Sequence, residues 1–390
     1  MINKRTEFAL RCLQPGVNFS ELCCEYGISR KTGYNWRDRF EADGAAGMLD
    51  VSRRPQSSPS QLSEDQLCRI AQIRERHPKW GPKKALAIYQ RSHGDAPSLS
   101  SFKRVYEKCG WTRKRVRRRA SQAGTVRTGR VASEPNEVWT VDFKGWWRVA
   151  EGARCEPLTV RDEFSRMVLE VRSLADARTD SVRAAFERLF SLHGLPEAIR
   201  SDNGSPFAAT SAPLALSRLS AWWVALGIDL ERGRPGKPQD NSAHERMHLD
   251  IFHELESCAS GSLGEQQAAF DIWRETFNCQ RPHESLEMKT PAEVYRSSSR
   301  TYQGTPADLS YAGMMARRVN KTGCIAMQGR RILISTALAG WSVGLRPIAA
   351  DSYEVHFARL RLGEIELSTA SFLRAASGAE EGCQTNRKTS

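Results

Sequence analysis

Residues 136 to 298 alternate strand and helix signals, and that alternation leaves few ways for the chain to fold. Three β-type runs come first: Val138 to Phe143, Pro157 to Asp162, and Met167 to Val171, with Phe164-Ser165-Arg166 at a turn. They read as an antiparallel meander. Asp180 to His193 then carries Val182, Phe186, Leu189 and Phe190 at helical spacing and is stopped by Gly194 and Pro196. Ile199 to Gly204 reads as a buried strand entering a turn, Leu216 to Leu226 as a helix bearing Trp222 and Trp223, and Ile228-Asp229-Leu230 as a last short strand. After the Pro235-Gly236-Lys237-Pro238 loop, Asn241 to His248 opens a further helix. A meander followed by this αβαβα order predicts an α/β unit with a mixed sheet.

Three acids occupy telling places in that pattern. Trp139, Val141 and Phe143 take one face of the first strand and leave Asp142 on the other. Asp202 stands where strand becomes loop, the position at which open α/β sheets hold ligands. Glu245 lies in the first turns of its helix. Separations of 60 and 43 residues mean that only a fold brings the three together. A carboxylate cluster suits hard divalent cations, and a pair of such ions clamps the attacking and leaving oxygens in phosphodiester cleavage. Taken singly, the same residues read as a strand-face acid, a turn cap and a surface helix residue.

The 390 residues, 40% of them hydrophobic, are enough for two or three domains with real cores. No apolar run approaches the roughly 18 residues of a membrane span, and Met1 to Arg5 is not followed by a signal-peptide stretch, so a cytoplasmic protein is expected. The ten cysteines show no C-x-x-C pair, only the adjacent Cys23-Cys24, which predicts free thiols in a reducing compartment. Charge is the more telling quantity. The net +13 is concentrated at one end: residues 1 to 135 hold 27 Lys and Arg against 13 Asp and Glu, the remainder 31 against 32. The first third is therefore expected to meet a polyanion, nucleic acid above all.

Within that third, residues 6 to 40 read as a helix-turn-helix: Phe19 to Tyr26, a turn at Gly27, an N-cap at Ser29, then Arg30 to Phe40. The second helix buries Tyr34 or Trp36 with Phe40 and offers Arg30, Lys31, Asn35, Arg37 and Arg39 outward, as a major-groove reading helix does. Beyond the Pro/Ser linker 51–62, a capping box at Ser63 to Gln66 and two further helices predict a second such module over 63–111, with Lys103, Arg104 and Lys108 exposed. Thr112 to Arg130 has eight basic residues and no acid, among them Arg113, Lys114, Arg115, Arg117, Arg118 and Arg119, and is expected to track phosphates. Past Arg300, short β-type runs between Gly and polar turns predict a small β-barrel over 299–378, with Arg330 and Arg331 at a hairpin and a tail at 379–390.

Several runs carry a resemblance. Trp139-Thr140-Val141-Asp142, Ser201-Asp202-Asn203-Gly204, and Pro238-Gln239-Asp240-Asn241 ahead of His244-Glu245-Arg246 resemble the core of the D,D,E transposases of bacterial insertion sequences, relatives of retroviral integrases. His193-Gly194-Leu195-Pro196, Asn278 to Leu286 and Thr290-Pro291-Ala292-Glu293 belong to the same context. The resemblance implies a ribonuclease H-like core over 136–298, joined by the basic linker 112–135 to an all-α tandem helix-turn-helix region starting with domain 1–50. It also implies that Asp142, Asp202 and Glu245 are the catalytic, metal-binding triad for two Mg2+ or Mn2+ ions. Double-stranded DNA, a homodimer or larger assembly on it, and a place in the nucleoid follow as expectations. Two departures stand out: a longer interval between the second and third acids, assigned to Ser205 to Leu214, and Leu249 and Phe252 where such helices usually carry basic residues. The alternative function is a DNA-binding protein without catalysis. His244-Glu245-Arg246-Met247-His248 also satisfies the H-E-x-x-H zinc pattern, which explains neither Asp142 nor Asp202.

Overall fold

A computed structural model describes residues 2–50, 61–112, 129–234, 242–256 and 259–375. The chain divides into two compact units, residues 1–67 and 68–390. In the first, α1 (Ile2–Cys12), α2 (Phe19–Glu25) and α3 (Arg30–Asp43) close around Phe8, Leu22 and Cys23. Gly27 makes the turn at φ +65°, and the Ser29 side chain caps α3 by accepting from Thr32 N at 3.1 Å. Trp36, not Tyr34, joins the core. Tyr34 stays 45% exposed and stacks on Phe19 at 4.2 Å. At Gly33 α3 lies close against its neighbours: a Cβ there would stand 2.7 Å from Cys23 Sγ and 2.9 Å from the Phe8 ring.

The division between units falls inside α4 (Glu64–Arg76), whose Ser63–Gln66 capping box forms both expected bonds at 3.1 Å. α5 (Pro82–Ser92) and α6 (Leu99–Lys108) complete the second helical module, packed on Tyr89, Phe102 and Tyr106. Basic residues of α5 are spent on the rest of this unit: Lys83 pairs with Glu284 at 2.6 Å and Arg91 with Glu293 at 2.8 Å. Residues 51–60 of the expected linker 51–62 and residues 113–128 of the basic run lie outside the described residues.

The next elements are β1 (Val138–Phe143), β2 (Trp147–Arg148), β3 (Arg154–Asp162), β4 (Val168–Leu174), α7 (Thr179–His193), β5 (Ala198–Ser201), α8 (Arg218–Ala225) and β6 (Asp229–Arg232). β1 pairs antiparallel with β3 and parallel with β5, which pairs parallel with β6, and β3 also pairs antiparallel with β4. This is the mixed sheet that the order of signals predicts. One face, with Trp139, Val141, Leu158 and Val160, packs on Phe186 and Phe190 of α7 and Trp222 and Trp223 of α8. The other face packs on α9 (Ser242–Glu254) and α10 (Leu263–Glu275) through Met247, Ile251, Phe270 and Trp273. Both faces of β1 are thus covered, so Val138 to Val141 are buried without alternation.

Farther along come β7 (Met315–Arg318), β8 (Cys324–Met327), β9 (Arg330–Leu333), β10 (Ser342–Ala349), β11 (Ser352–Phe357), β12 (Leu360–Glu366) and β13 (Ser371–Arg374). The expected barrel is corrected here. Five strands pair as an open antiparallel sheet in the order β13-β12-β11-β10-β7, and β8 and β9 form a separate hairpin. No pairing among the described residues closes the sheet, whose inner face packs instead on Leu216, Ala221 and Val224 beside the mixed sheet. Arg330 is not a free cation at the hairpin: its guanidinium donates to the carbonyls of Leu367 and Ser368. Among the described residues no helix is long and apolar enough to cross a membrane.

Candidate active site

Asp142 is the next-to-last residue of β1 and Asp202 follows β5. The parallel register pairs Thr140 with Arg200, and two residues further on it sets Asp142 beside Asp202. Asp142 is half-buried, its Oδ1 accepting from Phe143 N at 2.8 Å, while Asp202 is exposed and accepts from Gly204 N at 3.1 Å. Any side chain on residue 204 would press on the carboxylate, because a Cβ there would stand 2.9 Å from Asp202 Oδ2. Arg232 of β6 braces the loop by donating to Ser201 Oγ and Phe207 O, both at 2.8 Å. Phe207 packs in turn on Phe143 at 5.5 Å.

Glu245 is exposed in the first turn of α9. The helix is seated by its histidines: His244 Nδ1 lies 3.0 Å from Thr140 Oγ1, and His244 Nε2 and His248 Nε2 lie 2.6 and 2.8 Å from Thr159 Oγ1. Thr159, the β3 partner of Asp142, donates its own proton to the Asp142 carbonyl at 2.9 Å. Burial pushes both imidazoles far down, His248 to about 3, so both are neutral at physiological pH. Their Nε2 atoms are turned on a hydroxyl, which is what the H-E-x-x-H spacing serves in this fold.

Asp142 registers the other two acids. Burial first and the negative charge of Asp202 second push its carboxyl up to about 7; Glu245 adds to the push, and the Phe143 N–H opposes it. Among the described residues no three His, Cys, Asp or Glu side chains are gathered closely enough to hold a metal ion. The acids sense one another without forming a closed cage. Their chemistry nonetheless fits the expected ions, since mutual repulsion is relieved by divalent charge and carboxylate oxygen is the donor Mg2+ and Mn2+ take.

A pH dependence follows with a definite sign. An acid whose folded value lies above its unfolded one holds its proton longer in the folded state, so its stabilisation is greatest below about pH 4 and is lost as pH rises toward 7. The buried histidines act oppositely, losing stability as pH falls below their unfolded value. The difference between wild type and Asp142→Asn isolates the first effect. The metal-free variant is expected to gain stability over wild type from pH 5 to pH 8, by at most about 3 kcal/mol and less after solvent screening. Denaturant midpoints at each pH measure it, and a pH-independent difference contradicts it.

The DNA-facing candidates divide. Arg30, Lys31 and Asn35 on α3, and Lys103, Arg104 and Lys108 on α6, are exposed. Arg37 is half-buried, bonded to Asp38 at 2.9 Å and set 5.0 Å over the Tyr34 ring. Arg113, Lys114, Arg115, Arg117, Arg118 and Arg119 lie outside the described residues, as does the 235–241 loop. Leu249 and Phe252 are each 43% exposed on α9, and a cation reaches this side from β1: Lys144 lies 5.5 Å over the Phe252 ring and pairs with Glu256 at 2.6 Å. Sequence reasoning missed Thr140, Thr159 and Arg232. Thr140, two residues before Asp142 on the same strand face, was the only one with a local signal.

Family models match along most of the chain. An integrase core domain model matches residues 132–238 and a second one residues 226–291. A helix-turn-helix domain matches 4–56, a homeodomain-like domain 32–106, and the C-terminal domain of IS481 family transposases 314–373. The chain belongs with the insertion-sequence transposases that have an integrase-like core. An uncharacterized 31.7 kDa protein of insertion element IS407 from Burkholderia multivorans is 25% identical over 252 residues, 64% of this chain and 87% of that protein. An uncharacterized 39.2 kDa protein of insertion element IS476 from Xanthomonas euvesicatoria is 25% identical over 269 residues, 67% of this chain and 73% of that one. Among solved structures, the HTLV-2 integrase catalytic core domain in complex with magnesium aligns with 43% of this transposase-family chain and all of its own, at 19% identity and a TM-score of 0.34.

Proposed function

We propose that the chain binds the terminal repeats of a mobile element and carries out 3′-end cleavage and strand transfer with Asp142, Asp202 and Glu245 as its catalytic acids. The observation that supports this best is the parallel register of β1 and β5, which sets Asp142 beside Asp202, with Asp142 pushed up by burial first and by the charges of Asp202 and Glu245 besides. Asp142, Asp202 and Glu245 would hold two Mg2+ or Mn2+ ions, which when bound supply the positive charge that stabilises attacking and leaving oxygens. In the first step water replaces the 3′ bridging oxygen at the element end, leaving a 3′-OH. That hydroxyl then attacks a target phosphodiester directly, so one P–O bond forms as one breaks and no protein–DNA bond is needed. Strand β1 and the loop after β5 hold two acids on the sheet, while the neutral, buried His244 anchors the helix that carries the third. Joining both ends calls for a dimer or larger assembly on DNA, in the nucleoid of the cytoplasm. The domain organisation proposed with it keeps helix-turn-helix modules at 1–50 and 63–111 ahead of the 136–298 core.

Binding is expected to reside in the exposed cations. Arg30→Ala on α3 should weaken binding by about 1–3 kcal/mol and relax preference at one base pair, whereas Lys108→Ala should lower the salt slope by about one without changing sequence preference. Fluorescence anisotropy on the inverted repeats flanking the gene, measured across a salt series, separates the two effects. Equal binding of unrelated DNA by the wild type would remove the terminal-repeat assignment. Tight, specific binding without divalent-ion-dependent nicking would favour the non-catalytic reading, which Leu249 and Phe252 on the exposed face of α9 keep in play.

A further inference from the structure

The hydrogen bonds at Thr159 admit one arrangement of protons. A threonine hydroxyl has one proton and two lone pairs, and the proton goes to the Asp142 carbonyl. Both histidine contacts at 2.6 and 2.8 Å must then be N–H donors, so His244 and His248 each carry the proton on Nε2. With Nε2 protonated, a neutral His244 accepts at Nδ1 from Thr140 Oγ1 at 3.0 Å. Every lone pair and proton of the Thr159 hydroxyl is used. The set joins the backbone of Asp142, the neighbouring strand, and the helix turns on either side of Glu245, and His244 is fully buried within it.

We propose that Thr159, with His244 and His248 as its donors, is a positioning residue that fixes the backbone of Asp142 relative to the α9 helix of Glu245 and thereby sets how tightly the acids take a divalent cation. The proposal rests on the triad reading above. The contact is with the carbonyl of Asp142 and not its carboxylate, so Thr159 touches neither substrate nor ion; it acts by holding two elements in register. An apolar isostere would leave two buried N–H groups without an acceptor and remove the side-chain bond to the Asp142 carbonyl, and these elements would shift to find other partners.

The test is Mn2+ affinity of the full chain, read by electron paramagnetic resonance of the free ion, alongside the Mn2+ concentration giving half-maximal cleavage of a labelled repeat. Thr159→Val, which keeps the shape and removes the hydroxyl, is expected to weaken Mn2+ binding by about tenfold or more. DNA binding should be unchanged, and Thr159→Ser should restore the ion affinity. Wild-type Mn2+ affinity in Thr159→Val, or an equal loss in Thr159→Ser, overturns the proposal. If Thr159→Val does not fold, His248→Leu against His248→Gln serves at the half-buried edge, since the glutamine amide can replace the Nε2 donor: Leu should weaken Mn2+ binding and Gln retain it, and equality overturns the proposal. Asp142→Asn separates the two levels. If it removes Mn2+ binding while Thr159→Val does not, only the positioning role falls; if it has no effect, the triad reading falls and the positioning role with it.

Discussion

On the proposed mechanism, Asp142→Asn and Asp202→Asn each lower cleavage of a labelled element end by about a thousandfold or more, with binding to the same DNA unchanged. Asparagine keeps the shape of the side chain and removes the charge, so the comparison isolates what the carboxylate contributes. The two variants should nonetheless differ in stability. Asp142 is half-buried and pushed toward neutrality by burial first and by its acidic neighbours next, so its replacement relieves both; Asp202 is exposed, and its replacement relieves only its share of the mutual repulsion and should raise the unfolding midpoint less. Glu245→Gln should match them in activity. Cleavage at wild-type rates by any of the three would remove that acid from the mechanism.

The largest stability effect is expected at Asp250, two residues beyond His248 on α9. Its carboxylate takes Arg281 at 2.6 Å, both side chains nearly buried, and Arg246 stands 3.5 Å away on the same helix. Lys84 of α5 is close by and is pulled down to about 8, by burial first and by Arg281 next. Asp250→Ala therefore leaves the buried Arg281 guanidinium without its carboxylate beside a second cation, a loss of about 3–5 kcal/mol. Arg281→Met added to Asp250→Ala should recover much of it, because the desolvated charge is then gone. Unfolding followed through the buried Trp139, Trp222 and Trp223 reads the unit concerned. A double variant no more stable than Asp250→Ala alone would show that packing, not unpaired charge, accounts for the loss.

How far such features could be seen beforehand depended on their range. The helices of both N-terminal modules were legible because caps and turns are local: Ser29, Gly27 and the Ser63–Gln66 box act within a few residues of themselves. The strand carrying Asp142 and the turn carrying Asp202 were equally legible, being short apolar runs that end in polar residues. Tyr34 against Trp36 was undecidable at this level: two residues apart, they point to different sides of α3, and only the placement of Phe8, which takes Trp36, decides which side is the inner one. The barrel expectation failed for a related reason. Strand propensity marks where strands are, but closure depends on edge-to-edge pairing, and here the open sheet covers its apolar face on residues of α8.

The sequence by itself determined the order of strands and helices, the concentration of positive charge in the first third, and the three acids at strand end, turn and helix start, because each is written in neighbouring residues. Only the tertiary structure decided that His244 and His248 serve Thr159, that Arg232 holds the Asp202 loop, and that Asp142 feels Asp202 and Glu245. Those relations join residues 25 to 104 positions apart, where no local pattern carries information and only the packing of α9 and β6 against the sheet brings the groups within hydrogen-bonding or Coulombic reach.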